Sequence, residues 1–242
     1  MTEPKKIVLL GATGSIGENT LQVVRKHLDR LQLVGISAHS NAEKLAQIAT
    51  EFNVPHAYLP EAAGKAENFP SATKLDRSTD GLLSLASLDN ADLVVIAVVG
   101  ASGLSPTLAA LQAGKNIVLA NKESLVLGGD LVMQTAKENQ AKVLPADSEH
   151  NAIFQCIQGE NQRDIDSIIL TASGGPFREL PIEELQHVTI EQALDHPNWS
   201  MGNKVTIDSA TMANKGLELI EARWLFDICL LYTSPSPRDP TN

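Results

Sequence analysis

The chain has 242 residues, 43% of them hydrophobic, and a net charge of −10 from 19 basic and 29 acidic side chains. That length supports one large or two modest domains with cores of their own. The acidic balance argues against a nucleic-acid backbone or an anionic membrane as the main partner. Two cysteines, Cys156 and Cys229, make no disulfide framework and fit a reducing compartment. No apolar run approaches the length of a membrane span, and Met1–Lys6 shows neither signal nor transit character. A soluble, cytoplasmic protein is expected.

Lys5–Leu10 is a short continuous apolar run, as in a buried parallel strand. Gly11-Ala-Thr-Gly-Ser-Ile-Gly17 follows at once, and Glu18–Leu28 reads as a helix with Leu21, Val24 and Leu28 on one face. Strand, glycine turn and helix in this order are the context of a dinucleotide-binding fingerprint, here spaced G-x-x-G-x-x-G. Glycines let the backbone approach a pyrophosphate, and the helix N-terminus favours its charge. Thr13, Gly14, Ser15 and Ile16 are the residues expected against the cofactor. Glu18, where a phosphate-binding loop would need lysine, excludes that alternative.

A second strand, Leu31–Ser37, ends in Ala38-His39-Ser40-Asn41, before a helix from Asn41 to Phe52. An NAD enzyme usually places an acid here to hold the ribose 2′-hydroxyl. None is present, and His39, Ser40, Asn41 and Lys44 would not repel a 2′-phosphate, which points to NADP. Residues 53–77 carry weak strand signals, and 78–88 read as a helix. The strongest apolar run, Asp92–Val99, is expected as a central strand. Gly100–Gly103 breaks it before a helix that contains Pro106 and runs to Ala113. The next strand, Gly114–Ala120, delivers Asn121, Lys122, Glu123 and Ser124 to the edge that carries the glycine turn. Lys122 and Glu123 there are a capping pair, or else Lys122, in a cofactor cleft, binds the nicotinamide end or an anionic substrate. Leu125–Asn139 reads as a helix. The alternation predicts a mostly parallel, doubly wound sheet.

Ala141–Leu144 is a further strand, leading to Asp147-Ser148-Glu149-His150 and a helix over Ala152–Ile157. Two carboxylates this close repel unless a proton or cation sits between them, and a hard divalent cation is the natural partner. The alternative is a capped helix start, with Asp147 or Ser148 as cap and Glu149 in the first turn. Asp166–Ala172 reads as a strand ending in Ser173-Gly-Gly-Pro-Phe-Arg178, either a plain turn or a donor-rich loop suited to an oxyanion. A short helix, Thr189–Asp195, precedes His196-Pro-Asn-Trp199, where a tryptophan in a polar loop is either packed on its own domain or part of a lid. Lys204–Asp208 reads as a strand. A helix from Ser209 would then set Thr211, Asn214, Lys215 and Glu218 on one face, either a surface pair or a phosphate site with a third metal carboxylate.

Six segments together resemble 1-deoxy-D-xylulose-5-phosphate reductoisomerases: Gly11–Gly17, Leu119–Leu125, Ala146–Gln155, Thr171–Phe177, His196–Gly202 and Asp208–Glu218. The resemblance covers about residues 4–227. It implies NADPH- and divalent-metal-dependent conversion of 1-deoxy-D-xylulose 5-phosphate to 2-C-methyl-D-erythritol 4-phosphate, in non-mevalonate isoprenoid synthesis. It implies Mg²⁺ or Mn²⁺, with Co²⁺ as an alternative, on Asp147, Glu149 and Glu218, and a phosphate site at Ser173, Ser209, Asn214 and Lys215. Ser148 and Lys122 match substrate-contacting positions, and His196 and Trp199 lie in the lid. Lys122, Glu149 and His196 are the catalytic candidates, Asn121 and Glu123 join the cofactor set, and a homodimer is implied.

The expected organisation is a Rossmann-like NADP-binding domain over 1–146, an incomplete α+β catalytic domain over 147–229, and a Pro/Ser/Thr-rich, disordered tail over 230–242. The resemblance weakens near Ser40, where a basic residue is common, and ends after about Asp227, as in a C-terminally truncated chain with an unrelated tail. Such a chain would leave apolar surface exposed and the dimer interface incomplete. Competing readings are another NADP-dependent oxidoreductase and a non-catalytic NADP-binding fragment.

Overall fold

A computed structural model describes residues 3–161, 164–199 and 201–227. The expected tail and Cys229 lie outside them. The chain divides into two compact units, Met1–Asp147 and Ser148–Asn242.

The first unit is a seven-stranded parallel sheet: β1 (Lys5–Leu10), β2 (Leu31–Ser37), β3 (His56–Tyr58), β4 (Lys74–Asp76), β5 (Leu93–Ile96), β6 (Asn116–Leu119) and β7 (Val143–Pro145). The spatial order is β4-β3-β2-β1-β5-β6-β7. The winding therefore reverses between β1 and β5, which makes the crevice beyond their carboxyl ends the ligand-binding position of such a sheet. Flanking helices are α1 (Ser15–Lys26), α2 (Ala42–Glu51), α3 (Gly81–Ala86), α4 (Leu104–Gln112) and α5 (Lys122–Glu138).

The apolar strands are buried because both sheet faces are covered. Val8, Leu9 and Leu10 of β1 and Val94 and Ile96 of β5 are fully buried; Ile7 and Leu9 share one core with Leu21 and Val24 of α1 and Leu45 and Ile48 of α2. Leu28, expected on that face, lies beyond the helix end and is exposed. Asn41 and Asn121 cap α2 and α5, their side chains accepting from the backbone N–H groups of Lys44 and Ser124 at 3.0 Å. So α5 begins at Lys122, three residues earlier than its apolar pattern suggests, and bends at Gly128 (φ −145°, ψ 34°).

The second unit holds α6 (Ser148–Cys156), α7 (Ile190–Leu194), α8 (Asn203–Ala210) and α9 (Ala213–Phe226). Two strand expectations fail here. Asp166–Ala172 forms no strand, because among the described residues no neighbouring strand takes its hydrogen bonds, and Ile169 is exposed. Lys204–Asp208 is helical. The alternation of Val205 and Ile207 mimics a strand, but the backbone folds into α8, with Lys204 Nζ 2.6 Å from Asp208 one turn on and Thr206 donating to the Gly202 carbonyl. The long helix expected from Ser209 is broken at Met212 (φ 60°), so Thr211 stands outside α9, and Asn214, Lys215 and Glu218 remain on one face.

Charge pairing on the first unit predicts its acid response. Arg25 lies between two carboxylates, with Nε 2.5 Å from Glu51 and Nη1 3.0 Å from Glu18, and over the Phe52 ring at 5.5 Å. Arg25 holds both carboxyl groups below the usual carboxylate range, Glu18 with added help from Lys44; the Ser78 hydroxyl and backbone N–H do the same for Asp76. Depressed folded-state values mean that this stability is present above the unfolded carboxylate pKa, about 4, and is lost as pH falls through the folded values. Thermal denaturation across pH should show Tm dropping below pH about 4.5, with a shallower acid limb in Arg25→Gln. An unchanged limb would separate acid sensitivity from this cluster.

Candidate functional site

The glycine turn sits where β1 and β5 separate. Gly11 N–H donates to Ser37 Oγ at 3.0 Å, Ala12 N–H to the Ser37 carbonyl at 2.8 Å, and Ala97 N–H to the Leu10 carbonyl at 2.8 Å. The turn is therefore tied to the ends of both neighbouring strands. Gly11 has φ +87°, and a Cβ there would lie 2.5 Å from the Ala97 carbonyl oxygen. Gly14 precedes α1 without a side-chain cap, which leaves the first backbone N–H groups of that helix available to an anion. Thr13 is half-buried, while Gly14, Ser15 and Ile16 are exposed. Beside them, His39, Ser40 and Asn41 are exposed at the end of β2. The cofactor residues expected around the turn are thus gathered at one edge.

Asn121 is buried, and its role in the fold is substantial. Its Nδ2 donates to the carbonyls of Val98 (3.0 Å) and Gly100 (2.9 Å) and to Glu123 Oε2 (3.1 Å). It clamps the loop after β5 to the start of α5, and so fixes Lys122 and Glu123. Lys122 is 9% exposed, with Nζ 2.8 Å from Asp147 Oδ2. This pair, 25 residues apart, has no signature in sequence spacing.

In the second unit Ser148, Glu149, Asn214, Lys215 and Glu218 form one connected cluster. Ser148 donates to Glu149 Oε2 at 2.5 Å. Lys215 Nζ lies 3.6 Å from Glu149 Oε1, donates to the Thr171 carbonyl at 2.5 Å, and forms a close ion pair with Glu218. Asn214 also donates to Glu218, which is only 1% exposed. A Cβ on Gly175 would meet the Ser209 carbonyl oxygen at 2.6 Å, so the Ser173-Gly-Gly loop lies directly on the end of α8. His196 Nδ1 accepts backbone N–H groups from Asn198 (3.2 Å) and Trp199 (3.1 Å), which leaves the ring proton on Nε2, 3.1 Å from Ser173 Oγ. Trp199 is 64% exposed.

Sequence reasoning missed a buried pair behind this cluster. His150 and Glu221 are both fully buried, with Nδ1 3.4 Å from Glu221 Oε2; His150 Nε2 donates to the Glu218 carbonyl at 2.8 Å, and the ring stacks on Phe226 at 6.2 Å. The pair joins α6 to α9 and holds the backbones of Glu149 and Glu218 in register. The i, i+3 spacing of Glu218 and Glu221 on an amphipathic helix was the available signal.

Two carboxylates facing a single ammonium form a donor set that suits a hard divalent cation: oxygen ligands, concentrated negative charge and a cation already drawn between them. Together with the glycine turn at the sheet's switch point, this defines a Rossmann-type α/β protein with a carboxylate-rich helical unit after its sheet. Sequence comparison identifies which. Residues 7–129 match the 1-deoxy-D-xylulose 5-phosphate reductoisomerase family, and residues 143–226 match the family's C-terminal domain. The chain belongs to this family. A reductoisomerase from Clostridium novyi (strain NT) is 50% identical over 230 residues, covering 93% of this chain and 60% of that protein. One from Bacillus cereus (strain Q1) is 51% identical over 226 residues, with the same coverage. The chain thus spans about 60% of the length of the curated relatives it matches. Among solved structures, a DOX-P reductoisomerase in complex with NADPH, fosmidomycin and magnesium superimposes with a TM-score of 0.85 at 44% identity, covering 95% of this chain and 60% of that one. The Zymomonas mobilis enzyme in complex with NADPH gives 0.83 at 42%, with the same coverage.

Proposed function

We propose that this chain carries the cofactor site and the metal and phosphosugar residues of an NADPH-dependent 1-deoxy-D-xylulose 5-phosphate reductoisomerase. The observation that carries the reading is the convergence of Glu149 and Glu218 on Lys215, in one cluster with Asn214 and beside the Ser173 loop. In this reading residues 1–146 bind NADPH through Thr13, Gly14, Ser15, Ile16, His39, Ser40, Asn41, Asn121 and Glu123. The unit from 147 binds the sugar phosphate. The whole protein would convert 1-deoxy-D-xylulose 5-phosphate, NADPH and a proton to 2-C-methyl-D-erythritol 4-phosphate and NADP⁺. It would do so in the cytoplasm and as a homodimer.

Asp147, two residues before Glu149 in the chain, would complete the metal set with Glu149 and Glu218. Mg²⁺ or Mn²⁺ bound there supplies Lewis-acid polarisation of the substrate carbonyl, and NADPH supplies the hydride. The chain's own groups do the rest. Ser173, Ser209, Asn214 and Lys215 offer donors to the phosphate. His196 Nε2–H, turned toward Ser173 by two backbone N–H groups on Nδ1, is a fixed proton donor at the same loop. Ser148 and the largely buried ammonium of Lys122 orient substrate oxygens. The Trp199 ring, largely in solvent here, is available to cover the substrate and exclude water.

The test is NADPH oxidation by the purified chain with 1-deoxy-D-xylulose 5-phosphate and Mn²⁺. Turnover abolished by a chelator and restored by Mg²⁺ or Mn²⁺ is expected of the chemistry. NADPH oxidation indifferent to chelation would favour another oxidoreductase. NADPH binding without turnover would mark the chain as a cofactor-binding fragment.

A further inference from the structure

Neither the glycine turn nor the loop after β2 carries a lysine or arginine: Gly11–Gly17 and Ala38–Glu43 contain none. Yet a 2′-phosphate, if NADPH binds as proposed above, would sit at the carboxyl end of β2, beside the start of α2. The first cation along the chain from that loop is Lys44, in the first turn of α2, three residues after the capping Asn41. Its side chain, 35% exposed, folds back toward the glycine turn. Lys44 Nζ reaches back across the crevice edge to donate to the Thr13 carbonyl at 3.3 Å, and lies 3.2 Å from Glu18 Oε2. The ammonium is thereby held between the two segments that frame the adenosine end of the site: the glycine turn, through Thr13, and the loop after β2, through the helix that Asn41 caps. Its anchor, Glu18, is also bound by Arg25, which is itself engaged by Glu51. Glu18 therefore keeps a bond to Arg25 when Lys44 leaves, and the ammonium can turn to a stronger anion.

We propose that Lys44 is the residue that selects NADPH over NADH in this chain, by pairing with the 2′-phosphate, and that Glu18 is the carboxylate from which the phosphate must draw it. The proposal rests on the dinucleotide reading of the glycine turn. A phosphate of charge near −2 competes for the ammonium far better than a carboxylate already shared with arginine. The Ser40 hydroxyl would supply a neutral donor, so Lys44 contributes the charge and Ser40 contributes the fit.

The experiment is a titration of the 242-residue chain and its variants with NADPH and NADH, followed by nucleotide fluorescence, with 2′,5′-ADP and 5′-AMP as competitors that isolate the adenosine end. Lys44→Gln should weaken NADPH and 2′,5′-ADP by about tenfold or more and leave NADH and 5′-AMP within about twofold, as expected when a charge-assisted hydrogen bond is lost. Lys44→Arg should retain most of the preference. Glu18→Gln should tighten NADPH severalfold, because the ammonium is then released. Unchanged NADH affinity in Lys44→Gln controls for folding. Equal losses for both dinucleotides in Lys44→Gln, or no loss for NADPH, would overturn the role of Lys44 while leaving the cofactor site standing. A wild-type chain that binds neither dinucleotide would overturn the cofactor reading and this proposal together.

Discussion

Glu218→Gln is expected to lower divalent-metal affinity on the order of 100-fold or more, since even groups that merely orient a metal ligand are worth about 10–100-fold. The substitution keeps shape and removes one negative charge. Asn214 can still donate to the amide oxygen, and Lys215 retains the Thr171 carbonyl at 2.5 Å and Glu149 at 3.6 Å, so the local geometry has support without the carboxylate. The stability cost should stay near 1–3 kcal/mol, the range for one lost buried partner. Mn²⁺ binding followed by electron paramagnetic resonance, with circular dichroism to confirm the fold, separates the two effects. Metal affinity within threefold or so of the parent chain would remove Glu218 from the ligand set and leave it as the counter-ion of Lys215.

The second large effect concerns the turn at the head of α1. Gly11→Ala should destabilise the chain by about 2–5 kcal/mol. A Cβ at φ +87° costs roughly 1–2 kcal/mol in backbone strain, and forcing it against the Ala97 carbonyl at 2.5 Å adds an overpacking cost of about 1–3 kcal/mol. For a protein of this size that corresponds to a Tm lower by very roughly 5–15 °C, readable in a thermal melt. Relief by backbone movement would separate the turn from the ends of β2 and β5, to which it is hydrogen-bonded at 2.8–3.0 Å. NADPH affinity should therefore fall with stability. A melt unchanged within a degree or two would mean that the turn has room the geometry does not indicate.

The first unit was largely legible in the sequence because its signals are local. A continuous apolar run such as Lys5–Leu10 is satisfied by burial on both faces, and a glycine turn between strand and helix fits few other structures; of the expected strand Asp92–Val99 only Leu93–Ile96 forms, and Val99 is exposed. Element ends were less clear. The start of α2 at Asn41 agrees with the sequence reading, but the side-chain cap at Asn121 decides where α5 starts, and the apolar period does not register it. In the second unit the same local reasoning failed twice. Val205 and Ile207 alternate as a strand would, but a strand exists only where another strand accepts its hydrogen bonds. Asp166–Ala172 has the right composition and no such neighbour among the described residues.

The candidate site divides along the same line. The residues themselves were visible in advance: Asp147 and Glu149 by their spacing, Asn214, Lys215 and Glu218 by their helical period, and the whole set by resemblance to a family to which the chain proves to belong. Sequence could not reveal which charges meet. Lys215 reaches Glu149 across 66 residues, His150 bonds the Glu218 backbone across 68, Lys44 leans on Thr13 across 31, and Lys122 finds Asp147 across 25. Period and propensity describe neighbours a few residues apart. Pairings at these separations are set by how strands and helices pack, so the sequence determined the chemistry available to this protein, and only the tertiary structure decided which groups share a charge.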